Sequence, residues 1–206
     1  SCHAVKRSMK GDRLYFTGAA SQVTGRYALA PFMIGREQRP AVRPSSDEDV
    51  FLSIYWPAAD IMAAAHLAGE DWLLQRREDP AFVVFDFVVE KLGIARKAAR
   101  EAVYSYIYGR DMPTTKRLEM LFPAIAQRHR ALSRKEFVQS TQEVVSLKLE
   151  ACIKALLQAG QRVVMVPPAE VIMEVKRGTD IEPLVDFMRS TDPTFRVKAK
   201  LSECWG

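Results

Sequence analysis

The sequence predicts an α+β fold: an antiparallel sheet carrying a helical insertion. Three observations lead there. The strand-like runs fall at residues 13–18, 50–56, 162–175 and 195–205, and the long middle of the chain is patterned as helix, an order that suits an antiparallel sheet interrupted by helices. The two runs inside 162–175 flank a Pro-Pro-Ala turn and read as a hairpin. Hydrophobic residues make up 48% of the 206-residue chain, enough for a sizeable core in one domain, or in one domain with a sub-lobe.

Each element has its own signal. Residues 13–18, "RLYFTG", alternate as a strand does. Residues 35–49 hold two prolines among many polar groups and read as an extended loop. "VFLSIYW", 50–56, is a buried strand, after which Pro57 can open a helix running to about Gly69. Residues 79–93 are rich in β-branched side chains, but Asp79-Pro80 suits a helix start, so a helix is expected. Residues 94–108 form a strong helix stopped by Gly109. Residues 117–130 form a helix interrupted near Pro123, and 133–159 the longest helix, with Ser133 as cap and Gly160 as stop. Residues 180–190 are helical, and 195–205 close the fold as a strand with Lys198 and Lys200 on one face.

Composition narrows the function classes. A net charge of +5 is mildly basic, compatible with nucleic acid without being diagnostic of it. Three scattered cysteines, no CxxC and three unspaced histidines argue against structural zinc and suit a reducing compartment. No apolar run is long enough to span a membrane. The first residues, "SCHAVKRSMK", lack a signal core and an initiating methionine, so a piece of a longer protein is expected.

One pattern carries chemistry. Arg96, Arg100, Tyr104 and Tyr108 recur every fourth residue, and each such step turns a helix about 40° past a full turn, giving one gently winding stripe. Two guanidinium groups followed by two rings suit a phosphate chain and a base. The same stripe also reads as a solvated basic half and a tyrosine-lined core half.

Beyond these local signals, the chain resembles the palm and fingers of the family-A DNA polymerases, the bacterial repair polymerase type. "RKAAREAVYSYIYG" resembles the fingers helix, with Arg100 where the family has lysine. "SQVTGRYA" resembles the segment ahead of the palm, and Arg26 matches the arginine that contacts the primer-template minor groove. "LSIYWPAADIMAAAHLAGED" resembles the first catalytic motif, its register fixed by His66 and Leu67. "FVQSTQEVVSLKLEACIKAL" resembles the long palm helix, with Gln139, Ser140 and Thr141 at its Gln-Gly-Thr. "MVPPAEVIMEV" resembles the His-Asp-Glu hairpin, and "FRVKAKLSECWG" the terminal strand. The resemblance implies a single domain, 1–206, with palm over about 10–74 and 133–206 and reduced fingers over about 75–132.

It also implies where the pattern departs. The family holds two magnesium ions with two aspartates; their positions fall on Tyr55 and Ala169, and the hairpin histidine on Pro168. Neither tyrosine nor alanine supplies the anionic oxygen that Mg²⁺ needs. Asp60 stands at the first motif's glutamate and Glu170 at the hairpin's; neither replaces the pair, and Glu174 is expected at the surface. The arginine and asparagine expected ahead of Gln139 fall near Ala131 and Lys135, and the segment between Tyr108 and the hairpin is short beside the family's. The expectation is therefore a catalytically inactive polymerase-like domain with no metal and no cofactor, acting as a protein-interaction scaffold in a DNA replication, repair or chromosome-maintenance assembly. Its partner patch would be the apolar cluster Tyr55, Trp56, Pro57, Pro167 and Pro168, which equally reads as a core closed over the cleft. The alternative is sequence-independent DNA binding through Arg26, Arg96, Arg100, Tyr104, Tyr108 and Gln139, aided by Lys198 and Lys200. The expected setting is intracellular, in nucleus or mitochondrion if the source is eukaryotic, with no membrane partner.

Overall fold

The structure is a computed structural model. It describes residues 37, 39–77, 79–167, 169–190 and 195–205, and the backbone of 9–10, 13–14, 18–20, 27–29 and 191. Arg26 and Pro168 lie outside the described residues. The chain forms two compact units: Ser1–Pro57, Ser146–Asp192 and Val197–Gly206 make the first, Ala58–Val145 and Pro193–Arg196 the second. The second unit thus takes in residues 58–74 and 133–145, which the resemblance assigns to the palm.

In the first unit, four short N-terminal strands pair as two hairpins: β1 (Met9–Lys10) with β2 (Arg13–Leu14), and β3 (Gly18–Ala20) with β4 (Tyr27–Leu29). The main sheet has four antiparallel strands in the order β6-β7-β5-β8. They are β5 (Asp49–Tyr55), β6 (Val163–Met165), β7 (Glu170–Lys176) and β8 (Lys198–Ser202). β5 and β7 are the central strands, and Leu52, Ile54, Val171, Ile172 and Met173 are wholly buried. Because side chains alternate across a strand, that run of burial means both faces of the sheet centre are covered. On one face, Phe51, Ile172, Met165 and Trp205 form a cluster flanked by Val42 and Val164. The expected terminal strand is shorter than residues 195–205, and Phe195 and Arg196 leave it for a reason. The Arg196 guanidinium donates to the carbonyls of Asp79, Pro80 and Phe82, tying this segment into the second unit.

The second unit is helical: α1 (Ala59–Ala68), α2 (Asp71–Arg76), α3 (Val84–Leu92), α4 (Arg96–Ile107), α5 (Thr115–Leu121), α6 (Pro123–Ala131) and the first half of α7 (Arg134–Gln158). A last helix, α8 (Glu182–Thr191), belongs to the first unit. The break at Pro123 falls where the sequence places it, with Phe122 in a non-helical conformation and Pro123 opening α6. Ser133 caps α7 in a capping box: Ser133 N–H and Oγ–H both donate to the Glu136 carboxylate, and Glu136 N–H donates back to Ser133 Oγ. α3 begins five residues later than Asp79. The Asp79 carboxylate accepts from Ala81 N–H, and Phe82 N–H reaches the Asp79 carbonyl, so the Asp-Pro pair builds a turn first. α2 is absent from the sequence reading; at 6 residues it is too short to show helical periodicity. The core is made by Ile61, Leu73, Val88, Ile107, Leu118, Phe122, Ile125 and Phe137, all almost fully buried. Among the described residues, no helix is long and apolar enough to cross a membrane.

Candidate functional site

The two positions aligned with the metal-binding aspartates come together in the first unit, at one end of the central strand pair. Register sets Tyr55 opposite Glu170 on β7 and opposite Lys198 on β8. Beyond the last pair, Trp56 N–H donates to the Ala169 carbonyl at 3.0 Å. Glu170 N–H closes the turn onto the Pro167 carbonyl at 3.2 Å, which leaves Ala169 in the left-handed region at φ 55°. That conformation is costly for a residue with a Cβ. The residues do not fit a pair of divalent ions: a phenol and a methyl group stand where two carboxylates are required. Among the described residues, no three His, Cys, Asp or Glu side chains group as a metal site.

What surrounds Tyr55 instead is a mixed row. Directly opposite residues of paired strands share a face. Tyr55, Ser53, Glu170, Lys198 and Lys200 therefore lie on one face of the sheet. Burial pushes the Glu170 carboxyl above its ordinary value, while a hydrogen bond with Ser53 and the charges of Arg39 and Lys200 pull the other way. Arg39 also lies over the Trp205 ring, 4.6 Å from its centroid. Ser53 and Arg39 carry no motif; only strand register and folding of the loop reveal them.

The described residues of the expected partner patch differ in burial. Trp56 is only 4% exposed and Pro167 is buried, while Tyr55 and Pro57 are half-buried. Two of the four described residues are thus interior, and the Trp56–Ala169 hydrogen bond holds the end of β5 against the hairpin. Glu174, expected at the surface, is also drawn in. Its carboxylate accepts from Ser45 N–H and Oγ–H and pairs with Arg162 at 2.9 Å, with its side chain 8% exposed.

The stripe lies in the second unit, on α4. Arg96 and Arg100 are exposed, Tyr104 and Tyr108 half-buried. Arg100 sits over the Tyr104 ring at 5.6 Å, and Tyr104 stacks on Tyr108 at 6.4 Å. Arg96 pairs with Asp86 at 3.3 Å. The Tyr108 hydroxyl donates to the buried Asp60 carboxylate on α1 at 3.0 Å. Sequence reasoning names both residues but not their pairing, since 48 residues separate them. After Tyr108, Gly109 takes φ 64°, and a Cβ there would stand 2.6 Å from the Arg134 side chain. Glycine lets Arg134 pass close and donate from Nε to the Tyr108 carbonyl at 2.9 Å. Gln139 is exposed on α7; beside it, Ser140 accepts from Arg128 at 3.5 Å and Thr141 turns back onto the Phe137 carbonyl. Arg128 also donates to the Leu67 carbonyl, and His66 is exposed. Sequence reasoning also leaves out His129, stacked on Phe137 with centroids 3.7 Å apart and held below its ordinary pKa by burial.

The first unit thus carries a four-stranded antiparallel sheet with a tight β6–β7 turn beside the end of β5, and the second is helical and bears the Arg-Tyr stripe. The chain is similar to the polymerase (POL) domain of Pol1 from M. smegmatis, solved in complex with a DNA primer-template and dNTP, with a TM-score of 0.77. The match covers 98% of this chain at 13% sequence identity, and the chain spans half the length of that protein (50%). No family model matches the sequence, and no curated protein matches it. The fold is thus that of a DNA polymerase domain of the type the sequence motifs resemble.

Proposed function

We propose that this is a non-catalytic, polymerase-like domain that serves as a protein-interaction scaffold in a DNA-maintenance assembly. The observation that carries the reading is the identity of Tyr55 and Ala169 at the paired strand end where the family places its metal ligands. Two-metal phosphoryl transfer needs carboxylates there to hold the ions that compensate charge on the attacking and leaving oxygens. A fold with well-filled cores that lacks those ligands retains its surface as its means of action. The test is primer extension on a primed template with Mg²⁺ or Mn²⁺. No nucleotide incorporation is expected; extension that disappears in Asp60→Ala or Glu170→Ala would overturn the reading.

A second reading, sequence-independent DNA binding, is favoured by two groups of cations. Arg96 and Arg100 are exposed on α4, and Lys198 and Lys200 share one face of β8. Each phosphate contact releases counterions, so Arg96→Ala with Arg100→Ala should weaken binding of any sequence and flatten its salt dependence by about two in slope. The doubly substituted protein should keep its melting temperature, because exposed ion pairs such as Arg96–Asp86 contribute little to stability. Unchanged DNA affinity at every salt would remove this reading and leave the scaffold.

A further inference from the structure

His129 belongs to neither functional reading, and its surroundings suit a neutral ring better than a charged one. It stands on α6 in the second unit, and its ring is enclosed by residues of other helices of that unit. One face stacks on wholly buried Phe137 of α7, with centroids 3.7 Å apart. Tyr106 of α4, 3% exposed, tilts against the ring at 5.1 Å. The ring hydrogen-bonds to the Tyr106 backbone, while Nε2 is buried with no hydrogen-bond partner among the described residues. Nδ1–H therefore donates to the Tyr106 carbonyl, and Nε2 carries the lone pair. The same carbonyl accepts from Gly109 N–H at 3.0 Å, so His129 and the turn that ends α4 share one oxygen.

The titratable and charged groups around the ring leave Nε2 without an acceptor. Glu119 of α5 favours the charged imidazole, but its carboxylate pairs with Arg130 at 3.6 Å. Glu70, just ahead of α2 and buried, directs its carboxylate to the N–H groups of Ala124 and Ile125 that open α6. Arg128 donates to the Leu67 carbonyl and to Ser140. The Tyr106 hydroxyl is buried without a partner, and burial raises its pKa so that it stays protonated. Burial likewise holds His129 below its ordinary pKa, against the Tyr106 hydrogen bond and the Glu119 charge. A proton taken up at Nε2 makes a charged donor with no acceptor, and the ring can satisfy it only by opening to water.

We propose that His129 is a proton-operated latch on the end of the stripe helix: neutral, it holds α4 against α6 and α7, and on taking up a proton it releases the turn after Tyr108. Tyr108 and Gly109 follow Tyr106 by two and three residues. The tyrosine end of the stripe therefore loosens, while Arg96 and Arg100 at the other end stay in place. The folded protein binds this proton less readily than the unfolded chain. The stabilisation is thus complete above the ordinary histidine value, declines as pH falls through it and levels off below the folded value. The latch lies within the helical unit and is independent of whether the domain acts as a scaffold or binds DNA.

The test is hydrogen exchange of the full chain between about pH 5 and pH 8, corrected for the intrinsic exchange rate, for the parent and for His129→Phe. Phenylalanine keeps a ring against Phe137 and has no proton to take up; His129→Gln replaces it if that variant does not fold. In the parent, peptides covering residues 104–110 and 124–131 should exchange faster as pH falls, by at most about tenfold per pH unit, the limit for one proton. The substitution should abolish that dependence rather than shift every rate alike. An NMR titration of the parent should show one histidine below the ordinary value of about 6.5, and its signal should vanish in the variant. Four outcomes overturn the proposal: exchange in these peptides is flat with pH, parent and variant share one pH dependence, that histidine titrates at or above the ordinary value, or β5 and β7 accelerate equally. The last would mean that acid unfolds the whole chain and opens no latch.

Discussion

Two half-buried tyrosines, Tyr55 in the first unit and Tyr108 in the second, stand in different surroundings. Tyr55 is placed by the backbone, by its register opposite Glu170 and Lys198 and by the hydrogen bond of the next residue to Ala169. Tyr108 is placed by side chains as well: its hydroxyl meets Asp60, its ring meets Tyr104, and its carbonyl takes Arg134. A sheet end keeps its geometry through ladder bonds and core burial whatever side chain stands there, so replacing a carboxylate with a phenol leaves the fold intact. A polar network has no such tolerance, because each buried member depends on its partner. The first unit therefore accommodates a phenol at its strand end without a change of shape, while the stripe in the second is held by its own contacts.

The largest expected effect tests the first half of that comparison. If the end of β5 is held by packing, Trp56→Ala removes a core side chain and should destabilise by about 3–5 kcal/mol. A partner-facing tryptophan would cost within about 0.5 kcal/mol in the free protein; a denaturant titration decides between them. Next comes Tyr108→Phe, which takes one donor from the buried Asp60 carboxylate and should cost about 1.5–3 kcal/mol, the range for hydrogen bonds to charged groups. A loss within measurement error would mean that the stripe's tyrosine end is as loosely held as its arginine end. The smallest effect concerns the hairpin. Ala169→Gly relieves a left-handed alanine and should stabilise by about 0.5–1 kcal/mol, read as a rise in melting temperature. Destabilisation there would show that the Ala169 methyl is packed rather than strained.

By itself the sequence determined the α+β order, the helix ends at about Gly69 and at Gly109, the break at Pro123, the Ser133 cap and the absence of carboxylates at 55 and 169. These are signals within a few residues: periodicity, capping and side-chain identity. It read Asp79–Val83 as the start of a helix and left α2 out, because an Asx turn competes with an N-terminus and six residues hold less than two helical turns. Only the tertiary structure decided that Trp56 and Pro167 are mostly core, that Glu174 is drawn in by Ser45 and Arg162, and that Tyr108 meets Asp60. It alone gathered Tyr106, Glu119 and Phe137 from three helices around His129. Burial and partnership are properties of residues far apart in sequence brought together. A local pattern can say that a tyrosine lies on a given stripe, but which carboxylate its hydroxyl reaches depends on how another helix packs against that stripe.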